Sequence, residues 1–204
     1  ISDGINLFYK ADMAGDEPYW LAVNLNMCAV LTCADRIKAA EYAIKELGVT
    51  KIILDDGFQH RKMARDLDIV LVDSEKLFGN ENLLPAGPLR EGMEGFKRID
   101  KLVIVSKNTD HSRAEKLARV YSKKQGIPTF VAKVEPDYAY NIISGEHLEK
   151  GAEVAALSAI GQPEQFYKFL KDYDVLKTIT FDDHHQYAAD DISSIEGNIT
   201  VSYT

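Results

Sequence analysis

Cysteine is scarce in this chain: Cys28 and Cys33 are the only two. They lie close together with no second pair, which excludes a disulfide framework or a thiolate zinc site and predicts two reduced core thiols, as in a cytosolic protein. Long apolar runs are lacking too. Nothing approaches the roughly 18 apolar residues that a membrane-crossing helix requires, and no signal-peptide pattern opens the sequence. Membrane contact is therefore expected to be peripheral, or to lie outside these residues. A surplus of positive charge is also missing, since 24 Lys and Arg face 32 Asp and Glu for a formal net charge of -8. Nucleic-acid binders cluster basic residues to neutralise phosphates, whereas here they are interleaved with acids, so no nucleic-acid partner is expected.

What is present is a folding pattern. Short Val- and Ile-rich runs recur at Met27 to Leu31, Lys51 to Leu54, Asp68 to Val72, Lys101 to Val105, Thr129 to Val134, Val154 to Leu157 and Val175 to Phe181. Strands buried on both faces read this way. Between several of them, Asp35 to Leu47, Ser112 to Gln125 and Gln162 to Tyr173 place apolar residues at helical spacing against a charged face. Such alternation predicts an α/β fold with a mostly parallel sheet flanked by helices, followed by a smaller C-terminal α/β portion. Gly48 is a ready stop for the first of the helices. The pattern breaks from Asn80 to Gly95, NENLLPAGPLREGMEG, a loop long enough to suggest a binding role. Tyr138 to Gly151 reads as a hairpin or linker, which divides the chain into 1–135 and 136–204.

The strongest chemical signal is KIILDDGFQHR, an apolar strand ending in Asp55 and Asp56 with Gly57 directly after. In open α/β sheets ligands collect at the carboxyl ends of strands. Paired carboxylates there suit Mg²⁺, which takes a few carboxylate oxygens together with waters and substrate phosphates. The same acids could simply cap a turn. His60 follows four residues after Asp56. Upstream, Asp16 and Glu17 precede Pro18, which is also how an ordinary helix begins. Downstream, FDDHHQY sets His184 and His185 just past a strand. Neighbours on an extended chain point opposite ways and do not easily share one metal ion, so an acid/base role for one of them is the better reading.

Taken together, GDEP at 15–18, DDGFQHR at 55–61, the DIVLVD strand, LLPAGPLRE from Leu83 to Glu91, and the later IGQPEQF and DHH segments resemble the lipid A 4'-kinase family in order and spacing. The resemblance implies a P-loop-NTPase-like fold, with 1–135 as the core kinase domain and 136–204 as a linker hairpin and part of a second α/β domain. It also implies ATP and Mg²⁺ as cofactors and a tetraacyldisaccharide 1-phosphate glycolipid as acceptor, at the cytoplasmic face of the bacterial inner membrane. Asp16 is implied to act with a histidine of the DHH segment, His184 ahead of His185, as the pair that prepares the 4'-hydroxyl. Asp55 and Asp56 correspond to the metal- and phosphate-handling strand end, with Gln59 and His60 in the same cofactor-binding motif. Arg90 is implied as a phosphate or transition-state partner, because a guanidinium fork matches phosphate oxygens, the alternative being a solvated loop arginine.

One family feature is absent from the sequence: the G-x-x-x-x-G-K-[ST] phosphate loop, whose backbone N–H groups and lysine cradle the β and γ phosphates. The expectation is therefore a portion of a longer kinase that by itself binds ATP weakly. The competing readings are a non-catalytic module that holds a sugar phosphate or nucleotide, and a metal-dependent phosphohydrolase built on the Asp pair.

Overall fold

The computed structural model describes residues 1–107, 110–141, 144–182, 185, 187–188, 190–191 and 198–201. They fall into two compact units, Ile1–Asp68 and Ile69–Thr204.

The first unit is helical and looped. Helices α1 (Ala11–Ala14) and α2 (Asp16–Asn24) are separated by Gly15 at φ 86°, a left-handed conformation that glycine adopts without Cβ strain. Helix α3 (Arg36–Leu47) is the predicted one. The Asp35 carboxylate caps it by accepting from the N–H of Ile37 and Lys38, and Gly48 at φ 63° closes it. Two expected strands do not form. Met27–Leu31 contributes only a single antiparallel bridge from Val30 to Ser2, and 51–54 has no ladder at all. A strand exists only when a neighbour pairs with it, and without one the apolar side chains face solvent, Ile53 at 94% and Met27 at 92% exposure. Cys28 and Cys33 are free, as expected, but exposed rather than in the core.

The second unit contains two three-stranded sheets, and every pairing in them is parallel. In the first, β1 (Ile69–Asp73), β2 (Lys101–Ser106) and β3 (Thr129–Lys133) lie in sequence order. The crossover from β2 to β3 is α4 (Ser112–Gln125), which presents buried Ala114 and Ala118 to the sheet. Small side chains let the helix approach closely over Leu102 and Ile104, both fully buried. Laterally paired residues share a face, so Val72, Ile104 and Val131 lie together on the buried face, while Leu71, Val103 and Phe130 share the other. Leu71 and Phe130 are exposed there.

In the second sheet β4 (Glu153–Ser158) is central, between β5 (Asp174–Thr180) and β6 (Asn198–Val201). Val154 to Ser158 are all buried, which explains the unbroken apolar run. Helix α5 (Pro163–Phe169) is shorter than the predicted Gln162 to Tyr173. Its Tyr167 hydroxyl lies 2.9 Å from Ser158 Oγ and 2.8 Å from Thr180 Oγ1, joining the ends of β4 and β5. Within the expected hairpin segment, the described residues Tyr140 and His147 form an antiparallel bridge.

At the carboxyl end of β1 sits Asp73. Burial raises its pKa, but the N–H groups of Glu75 and Lys76 and the Lys107 ammonium outweigh that and hold it below the ordinary 3.8. The Lys107 contact, 3.5 Å from Nζ to Oδ2, is ionic rather than a hydrogen bond. A depressed folded pKa contributes stability that is fully present above the unfolded value and lost as pH falls through the folded one. Asp73→Asn is accordingly expected to flatten the fall of Tm below about pH 4, as read by thermal melts across an acid series.

Candidate active site

The expected metal and cofactor residues of the first unit lie on one braced turn. Asp55 and Asp56 are exposed at its start, and Asp56 takes φ 45°, a left-handed position that Asp and Asn tolerate better than most residues. Gly57 follows because nothing larger fits: a Cβ there would lie 2.5 Å from Leu54 Cβ. The Gly57 carbonyl accepts from the N–H of His60 at 3.0 Å, which folds Gln59 and His60 back along the same turn. Gln59 is exposed, whereas His60 is half-buried and its Nε2 is enclosed without a hydrogen-bond partner among the described residues. Gly57→Ala is expected to cost about 1–3 kcal/mol, the usual range for overpacking, and to shift the turn; urea titration against the parent chain measures it.

Arg65 braces the turn from behind. Its guanidinium donates to the carbonyls of His60 (2.8 Å), Met63 (3.1 Å) and Phe58 (3.3 Å), and through Nε and Nη2 to the Asp68 carboxylate at 2.7 and 3.1 Å. Sequence reasoning passed over this residue. Its one available signal was the i, i+3 spacing of an arginine and an aspartate just after the DDGFQH words.

Asp16, also in the first unit, is the first residue of α2 and is exposed. The GDEP segment is thus an ordinary helix start in form: glycine makes the turn, Asp16 and Glu17 occupy the first turn where the helix dipole favours acids, and Pro18 needs no intrahelical partner. That form leaves the Asp16 carboxylate available, since it makes no hydrogen bond with any described residue.

In the second unit the long loop is built on itself rather than open. Asn80 Nδ2 donates to the Ala86 carbonyl, Leu84 N–H to Leu89 and Gly87 N–H to Leu83, and Leu83 bridges Leu89 in parallel. Gly87 fits between Asn80 and Asn82, with no room for a Cβ. Arg90 is exposed at the end of this loop. Next to it, Glu91 accepts from Arg98 Nη2 at 2.7 and 2.9 Å, which ties the loop to the short 3₁₀ helix Met93–Arg98. Phe78, Phe96 and Tyr121 pack against one another, with Phe78 and Phe96 edge to face at 4.9 Å.

His184 lies outside the described residues. His185 is held firmly: its Nε2 is 2.9 Å from Asp191 Oδ2, and its ring stacks on Phe181 at 4.5 Å. The Asp191 pKa is lowered, by the Ala188 N–H first and by the His185 bond second. A histidine engaged on one nitrogen and one face has structural work to do, so His185→Ala is expected to lower Tm by several degrees in a thermal melt.

Among the described residues no group of three or more His, Cys, Asp or Glu side chains could hold a metal ion by itself. The Asp55–Asp56 pair still fits the way Mg²⁺ is bound, by one or two carboxylates with substrate phosphates and waters completing its octahedron.

Comparison with known proteins gives these arrangements a family. Tetraacyldisaccharide 4'-kinases from Halothermothrix orenii, Syntrophus aciditrophicus and Francisella tularensis subsp. novicida are similar to the chain. They are 36%, 32% and 34% identical to it over 96%, 96% and 95% of its length. The chain spans 55%, 56% and 61% of those relatives' own lengths. The crystal structure of the apo form of LpxK from Aquifex aeolicus in complex with ATP matches with a TM-score of 0.69 and 30% identity, over 98% of this chain and 66% of that one. The α/β fold with parallel sheets and flanking helices is thus the LpxK fold. The sequence model of the LpxK family, tetraacyldisaccharide-1-P 4'-kinase, matches residues 4–202, and the chain belongs to that family.

Proposed function

We propose that a polypeptide of family length containing these residues transfers the γ-phosphate of ATP to the 4'-hydroxyl of a tetraacyldisaccharide 1-phosphate, a step of lipid A biosynthesis. The observation that carries this reading is the Asp55–His60 turn, two exposed carboxylates on a loop braced from behind, in a chain of the 4'-kinase family. Phosphoryl transfer asks a protein mainly for positioning and charge neutralisation. Asp55 and Asp56 would hold Mg²⁺, which neutralises phosphate charge when bound with the nucleotide. Gln59 and His60 orient the phosphates from the same turn. Arg90 offers a guanidinium fork to the migrating group, and Asp16, with a histidine of the DHH segment, takes the proton of the attacking hydroxyl. We assign that role to His184 ahead of His185; the Asp191 contact on His185 Nε2 leaves its other ring nitrogen for the same chemistry. The glycolipid acceptor sets the reaction at a membrane surface, reached by peripheral contact, which we assign to the cytoplasmic face of the bacterial inner membrane.

The test is transfer from γ-labelled ATP to the disaccharide acceptor, comparing the 204-residue chain with a family-length polypeptide at one Mg²⁺ concentration. Acceptor-dependent labelling by the longer polypeptide is expected. Phosphate release without acceptor would replace the reading with a phosphohydrolase, and nucleotide binding without turnover would replace it with a binding module.

A further inference from the structure

The Arg65 guanidinium has five N–H donors, and the described contacts use as many bonds: two to the Asp68 carboxylate and one each to the carbonyls of Phe58, His60 and Met63. Both side chains of the pair are 14% exposed. An arginine spent on a surface ion pair would leave most of its donors to water, and such a pair contributes little. Here the carboxylate fixes the plane of the fork, and the fork collects three main-chain carbonyls that belong to no helix or strand. Part-buried carbonyls outside regular structure still need donors, and Arg65 supplies them at successive points along the turn.

The carbonyls it takes are those that set the turn's direction. Phe58 and His60 flank Gln59, and the His60 N–H is bonded to Gly57, the residue next to Asp56. His60 is thus tied through its N–H to one end of the turn and through its carbonyl to the guanidinium. Its ring Nε2 meanwhile stays enclosed and unpaired among the described residues. No element of secondary structure runs through 51–68 to hold this segment otherwise.

We propose that Arg65, oriented by Asp68, is a positioning residue for phosphoryl transfer: it touches no reactant, and it holds the Asp55–His60 turn in the geometry in which its side chains meet the nucleotide phosphates. The proposal rests on the kinase reading above. Lysine cannot replace it, because an ammonium is a point donor that keeps the ion pair with Asp68 but cannot span three carbonyls.

The experiment uses a family-length polypeptide with Arg65→Ala, Arg65→Lys and Asp68→Asn, measuring kcat and KM for ATP and acceptor, Tm, and amide hydrogen exchange of residues 57–63. Misplacing catalytic groups by about 1 Å costs roughly 100-fold, so Arg65→Ala is expected to lower kcat by about that factor with acceptor KM nearly unchanged. Arg65→Lys is expected to recover about tenfold, and the turn amides to exchange at least tenfold faster while those of β2 and β4 keep their protection. A kcat within twofold of the parent, or a loss accounted for by the unfolded fraction alone, overturns the proposal. A parent without acceptor-dependent transfer would remove the kinase reading instead. The brace is then judged by exchange, and unchanged rates at 57–63 in Arg65→Ala refute it.

Discussion

Asp16→Asn in a family-length polypeptide is expected to reduce turnover by about 10²–10⁴-fold while leaving Tm within a degree or two, because loss of a positioned general base removes that much rate. The two halves of this expectation have separate causes. Asp16 is exposed and makes no hydrogen bond with any described residue, so its structural contribution is limited to the helix dipole at the start of α2, about 0.3–1 kcal/mol. Asparagine preserves even the shape of that first turn. The α1–α2 corner is set by Gly15 at φ 86° and by Pro18, neither of which the substitution touches. The companion experiment is His184→Ala alone and combined with Asp16→Asn. Residues that act as one unit are non-additive, so the double variant is expected to be no slower than the worse single one. An Asp16→Asn enzyme with half the parental turnover or more would end the acid/base assignment, and additive losses would separate the two residues.

The contrast between α2 and α3 shows how much of this molecule is written in local sequence. Asp35, the 3.6-residue apolar period and Gly48 together specify α3, and its cap and stop stand where those residues stand. Helix α4 and strands β1 to β5 are legible for the same reason: their signals are local, a period or a Val/Ile run. Lys51 to Leu54 carries an equally strong apolar run yet forms no strand, since ladder pairing depends on a neighbour distant in sequence. The cysteines mislead in the same direction, because burial is decided by what packs over a residue and not by residue type. For the candidate site, the words GDEP, DDGFQH and LLPAGPLRE name the exposed side chains. They are silent about what holds those side chains. Arg65 sits in a charged stretch that reads as solvated surface, and only the three carbonyls it gathers, from Phe58 to Met63, reveal its role. Glu91 is similar, its bond to Arg98 being visible only once the loop has turned.

Removing charge from the Asp55–Asp56 pair is expected to have the other large effect: Asp55→Asn and Asp56→Asn should each lower transfer by about 10²–10³-fold at a fixed Mg²⁺ concentration, the range for deleting a preorganised electrostatic contact. Asparagine is the informative replacement at both positions. It is isosteric, and at Asp56 it also accepts the φ of 45°, so the backbone of the turn is retained while the charge is lost. Alanine at Asp56 would add strain and confuse the two effects. If the carboxylates handle a metal bound with the nucleotide, the Mg²⁺ concentration giving half-maximal transfer should rise in both variants, since one hard oxygen ligand has been weakened. If they only cap a turn, stability should fall and the Mg²⁺ dependence of the folded fraction should stay where it was. Measuring the Mg²⁺ titration and Tm on the same preparations separates these, because the phosphate-handling role predicts movement in the first with little in the second. Parental turnover in both variants, at every Mg²⁺ concentration, would remove Asp55 and Asp56 from the chemistry and leave the turn as a structural corner braced by Arg65.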